Sequence, residues 1–109
     1  MTVAEFRRLA LALPGAVESA HMGHPDFRVN NRIFATLGYP DRGWAMVKLT
    51  PEQQTRLVKR DPKAFAAVKG AWGLQGATNL RLDAADASIV RELLESAAKN
   101  VGTRQRKRR

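Results

Sequence analysis

A chain of 109 residues with 44% apolar content has material for one packed core and, at this length, rarely for two. It carries 19 Lys and Arg against 10 Asp and Glu, a formal net charge of +9, and its lack of cysteine excludes disulfide frameworks, thiolate metal sites and cysteine nucleophiles. The apolar runs are too short for a membrane span and the first residues lack the pattern of a secretory leader, so a cytoplasmic protein is expected.

Val3, Phe6, Leu9, Ala10 and Leu13 recur every three or four residues, the apolar stripe of a helix. Thr2 and Glu5 have the spacing of a capping box, and Pro14-Gly15 ends the segment. From Glu18 to Leu49 the period shortens, with Phe27, Val29, Ile33, Ala35, Leu37, Trp44 and Met46 reading as strands. Asparagine tolerates positive φ, so Asn30-Asn31 predicts a tight hairpin turn, and Tyr39 to Gly43 predicts the next one. A meander of three or four antiparallel strands follows.

Thr50-Pro51-Glu52-Gln53 starts a helix that reaches about Arg60, with Thr50 as cap and Pro51 at the first helical position. Asp61-Pro62 restarts a short helical turn through Phe65 or Ala66. Gly70, Gly73 and Gly76 frame Trp72 and permit tight turns and close packing beside it. Ala77 to Leu82 reads as a strand with Leu80 and Leu82 on one face. Asp83 or Asp86 caps a last helix striped by Ile89, Val90, Leu93, Leu94, Ala97 and Val101, and Gly102 stops it.

This order predicts an α+β fold, a two-layer sandwich with a mostly antiparallel sheet of about five strands and helices on one face. The sequence of elements is one helix, three or four strands, a helix, one or two strands and a final helix. The other sheet face is left open, and in a protein this small an open face is where a binding surface belongs. The domain spans residues 1–102, and residues 103–109 are expected to form a disordered basic arm. Arg104, Arg106, Lys107, Arg108 and Arg109 place five cations in six residues with nothing apolar to bury, leaving the body with 14 basic and 10 acidic residues.

Candidate chemistry is sparse. His21, His24 and Asp26 lie within six residues, with Glu18 as a conceivable fourth ligand, but Gly23 and Pro25 favour a hydrogen-bonded turn over a metal centre. Neither Ser19 nor Ser88 lies in a glycine-flanked elbow, and the Gly70 to Gly76 segment lacks the lysine of a phosphate loop. No metal, no other cofactor and no enzymatic activity are expected.

The basic residues of the body say more. Arg28 and Arg32 flank the hairpin turn, Lys48 ends a strand and Lys69 precedes Trp72, so all could border one surface. Such groups bind a phosphate backbone by charge and forked hydrogen bonds, while an exposed tryptophan stacks on a base. The competing arrangement is a solvated basic rim with Trp72 in the core. The five terminal cations add salt-sensitive, sequence-independent affinity for a polyanion, and no amphipathic segment accompanies them to make a membrane anchor. The expected partner is DNA or RNA through its phosphate backbone, with the protein a monomer or weak homodimer. A protein-interaction module that uses the open sheet face is the alternative.

Four segments carry a resemblance: G-H-P-D-F-R-V from Gly23, R-I-F-A-T-L from Arg32, V-K-L-T-P-E-Q-Q from Val47 and A-W-G-L-Q-G-A-T from Ala71. Together they resemble the MmcQ/YjbR family over roughly Val3 to Val101. The resemblance implies an α+β fold related to secretion chaperone-like sandwiches and to the frataxin-like CyaY fold. It also implies DNA binding through a double-wing surface. Much of the matching sequence is sheet core and backbone punctuation. His24, Asp26, Gln75 and Thr78, with Arg28, Lys48, Lys69 and Trp72, are its polar or amphipathic remainder and form the candidate site. A frataxin-like iron role would need an acidic ridge on the first helix, where this chain has Glu5 beside Arg7 and Arg8.

Overall fold

The structure, a computed structural model, describes residues 1–39 and 41–107, with side chains through residue 102. Helix α1 (Val3–Leu11) starts as its sequence dictates. The Thr2 hydroxyl accepts from the Glu5 amide at 3.0 Å, and the Glu5 carboxylate accepts from the Thr2 amide at 2.8 Å. Four strands follow, β1 (Val17–His21), β2 (His24–Val29), β3 (Arg32–Leu37) and β4 (Trp44–Lys48). The β2–β3 turn holds Asn30 and Asn31 at φ of 54° and 64°, the left-handed pair a two-residue hairpin needs. Helix α2 (Pro51–Arg60) repeats the capping box with Thr50 and Gln53. The chain then makes β5 (Phe65–Ala67), α3 (Ala71–Leu74), β6 (Ala77–Arg81) and α4 (Ala87–Lys107).

All six strands form one antiparallel sheet in the order β1-β2-β3-β4-β6-β5. Helix α4 packs across β2, β3 and β4 and against α1, while α2 packs on β5 and β6. The core between sheet and helices holds Phe6, Phe27, Phe34, Val47, Leu80 and Leu94, each essentially inaccessible, with the Phe6 and Phe27 rings edge to face at 6.1 Å. A bulge beside Phe27 lets Phe34 and Ala35 of β3 both join the core, while alternation sends the neighbours of Phe27, Val47 and Leu80 to the opposite face. There Asp26, Thr36, Met46 and Asn79 form one row of register partners across β2, β3, β4 and β6.

Two expectations are corrected, the extent of the turn after Asp61-Pro62 and the end of the last helix. The helical turn after Asp61-Pro62 is present, with the Phe65 amide donating to the Asp61 carbonyl at 3.2 Å, but it extends no further, because Phe65 pairs with Leu80 and opens the strand Phe65–Ala67. The tight turns and close packing expected of Gly70 to Gly76 are present and enclose a helical turn, α3. A Cβ on Gly73 would stand 1.6 Å from the Val68 carbonyl oxygen, and one on Gly76, at φ +112°, would stand 2.0 Å from that of Leu49. Helix α4 does not stop at Gly102 but runs to Lys107. Gly102 is absent from the left-handed region, and the Arg, Gln and Lys beyond it are good helix formers whose charge suits a helix C-terminus. Arg108 and Arg109 lie outside the described residues.

Candidate nucleic-acid interface

Helix α3 leaves Trp72 43% exposed at the border of the open face, which rules out a core position for it. Its ring lies 4.2 Å from the Lys48 ammonium, a cation–π pair that joins the end of β4 to α3. Beside this pair is a groove of about 380 Å³ bounded by Lys48, Trp72, Gln75, Lys99 and Asn100, and among its described lining residues none is acidic. Asn100 fixes this corner. Its amide donates to the Lys48 carbonyl and to Gln53 Oε1, each at 3.1 Å, tying α4 to the end of β4 and the start of α2. Gln54 does the same for α3, donating to the carbonyls of Gly73 at 3.0 Å and Ala77 at 2.8 Å.

A second hollow, about 360 Å³, lies on the open sheet face and shares Trp72 with the groove. Thr36, Met46 and Asn79 belong to its lining, as do the rings of His24 and Tyr39, which meet edge to face at 5.7 Å. Met46 is 3% exposed yet lies outside the core cluster, consistent with its place on this face.

The sequence-predicted residues divide into those that reach these hollows and those held elsewhere. Lys48, Trp72 and Gln75 line the groove, and His24 lines the sheet-face cavity. Asp26 is completely buried and accepts from Arg28 Nε at 2.8 Å and Nη2 at 3.1 Å, with His21 Nδ1 at 2.9 Å. The Arg28 fork holds the Asp26 carboxyl below its ordinary range, outweighing the upward push of burial, with His21 adding to the effect. The same pairing raises the Arg28 pKa. Arg28 is therefore committed to a structural pair, and His21 and Asp26 are joined by the hydrogen bond that spans the β1–β2 turn. Thr78 is buried and donates to the Gly76 carbonyl at 2.9 Å, fixing the turn into β6. Arg32 is partly buried where β3 begins, at the end of the sheet where β4 finishes, and Lys69 is exposed in the loop before α3. Arg104, Arg106 and Lys107 lie in the last turns of α4.

Lys99, Asn100, Tyr39, Thr36 and Asn79 are not among the candidate site residues that the sequence suggests. Alternation offered one signal, since Leu80 on the core face sends Asn79 to the other.

A family model described as YjbR matches residues 11–97, most of the chain and nearly all of the folded body. The chain belongs to the YjbR family. Its fold is shared by the crystal structure of Deinococcus radiodurans protein DR2400, which contains the domain DUF419, with a TM-score of 0.73 and 21% identity. That match covers 88% of this YjbR-family chain and 75% of the other. No curated protein matches the chain. Within the family match lie β1 through β6, so both hollows are built on the YjbR body, with Lys99 and Asn100 just beyond its end.

Proposed function

We propose that this protein is a non-enzymatic nucleic-acid-binding protein that grips a phosphate backbone in the groove between α3 and α4. The observation that carries the reading is the lysine pair. Lys48, stacked on an exposed tryptophan, and Lys99 border one groove whose described lining has no carboxylate. Lysine ammonium groups there neutralise phosphates, and Gln75 and Asn100 add amide groups beside them. The helix that presents Lys99 continues into Arg104, Arg106 and Lys107, so the terminal cations extend the positive element that begins at the groove.

The test is titration of fluorescent single- and double-stranded oligonucleotides at several salt concentrations. Replacing Lys48 and Lys99 together by Gln should reduce the salt slope for a single strand by about 1.4, or about 0.7 per lost contact. Replacing the five terminal cations by Gln should flatten it further without abolishing binding. Unchanged affinity and slope in the lysine double variant would reject the groove. A second reading, a protein-interaction module, draws support from β1, an edge strand exposed along its whole length and able to receive an added strand. A partner that survives nuclease treatment in a pull-down would favour it.

A further inference from the structure

The sheet-face cavity differs in chemistry from the groove beside it. Three neighbouring strands contribute one residue each, Thr36, Met46 and Asn79, in direct register with one another. Thr36 is 5% and Met46 3% exposed, so they form the deep floor of the cavity beneath its aromatic rim. Aromatic rings border it on two sides, the His24–Tyr39 pair and Trp72. Tyr39 and Trp72 are 57% and 43% exposed. Asn79 Oδ1 is buried with no hydrogen-bond partner among the described residues. A buried amide oxygen left unsatisfied on a strand face is costly unless something external completes it.

Planar walls, a floor that sets Thr36 beside Met46, and an amide able both to donate and to accept match one chemical class, a heteroaromatic ring with polar edges. The volume lies at the small end of ordinary ligand sites. Trp72 links the cavity directly to the lysine-lined groove, which supplies the charge for a phosphate. We propose that the cavity receives one unstacked nucleobase from a single strand whose backbone lies in the groove. This rests on the backbone reading above. The base stacks against the aromatic rim and its edge meets the Asn79 amide, whose terminal rotation brings either oxygen or NH₂ to the base. A base paired within a duplex cannot reach such a cavity, so the partner is single-stranded.

The full-length protein with Trp44→Phe keeps Trp72 as its only tryptophan, and its fluorescence reports occupancy. Three probes are titrated: a strand of about ten thymidines, an abasic strand of equal phosphate number, and a blunt duplex of the same length. The thymidine strand should bind about tenfold more tightly than the abasic strand and quench Trp72. Asn79→Ala and Tyr39→Ala should each remove most of that difference while leaving abasic binding unchanged. The Lys48→Gln, Lys99→Gln double variant should weaken both strands alike. Equal binding of thymidine and abasic strands, or of strand and duplex, overturns the base pocket and leaves the backbone groove standing. Failure of every probe, with no effect of the lysine variants, overturns both. Tyr39 is exposed enough that its truncation leaves the fold intact, so it decides the matter should the Asn79 variant fail to fold.

Discussion

Two residues on the open face, Asp26 and Asn79, show opposite ways of burying polarity. Asp26 is fully satisfied: its two oxygens take the Arg28 fork and the His21 ring. Its carboxyl pKa lies below the ordinary 3.8, so its contribution to stability is complete above that pH and is lost as the pH falls through the lower, folded value. Asp26→Asn should cost about 3 kcal/mol at pH 7, because it leaves the arginine beside an amide. Urea melts at pH 7 and at pH 3 check this, and the gap between wild type and variant should be smaller at the lower pH. Asn79 carries the reverse expectation. Removing its orphaned oxygen by Asn79→Val, which also suits a strand, should raise stability by about 1 kcal/mol in the same melts. A loss of stability would mean that the amide is satisfied within the fold.

At the scale of elements, the placement of α3 depends on two close backbone approaches that only glycine allows. Gly76→Ala combines a positive φ with a Cβ that would overlap the Leu49 carbonyl, and should cost at least about 2 kcal/mol. It should also displace Trp72 from Lys48, visible as a shift of tryptophan emission in the Trp44→Phe background. The elements themselves were unequally legible. Capping boxes at Thr2 and Thr50 and the Asn30-Asn31 turn are local chemistry, and the structure follows them. The β5 strand is three residues long, too short for a period, and is a strand only because β6 lies beside it. β1 has no buried residue, so it had no alternation to read. The groove was half legible: Lys48, Trp72 and Gln75 stand in recognisable segments, whereas Lys99 and Asn100 reach it because α4 folds back across the sheet. That contact spans 52 residues between Asn100 and Lys48, and no local pattern encodes it.

For the molecule as a whole, net charge and shape assign separate tasks to its parts. The helix layer and the sheet enclose the core, the open face holds the aromatic-rimmed cavity, the groove lies at the corner where α4 meets α3, and the positive excess concentrates toward the end of α4. Binding should therefore have a salt-steep component from the terminal cations and a salt-insensitive one from stacking at Trp72 and Tyr39. The YjbR match and the shared fold with DR2400 fix the architecture.

The strand order has a further consequence for how the chain reaches this state. β1 to β4 form a meander of neighbouring hairpins, but β6 must enter between β4 and β5, and α4 arrives last to cover β2, β3 and β4. A nascent chain that has emerged only as far as Lys48 has α1 to place Phe6 on Phe27 but lacks α4, leaving much of the core face uncovered and the β4 edge unpaired, a surface prone to aggregate or recruit a chaperone. Closure waits on synthesis beyond Val101. Nascent chains arrested on either side of that point should change abruptly from protease-sensitive to protected, without a protected meander in between.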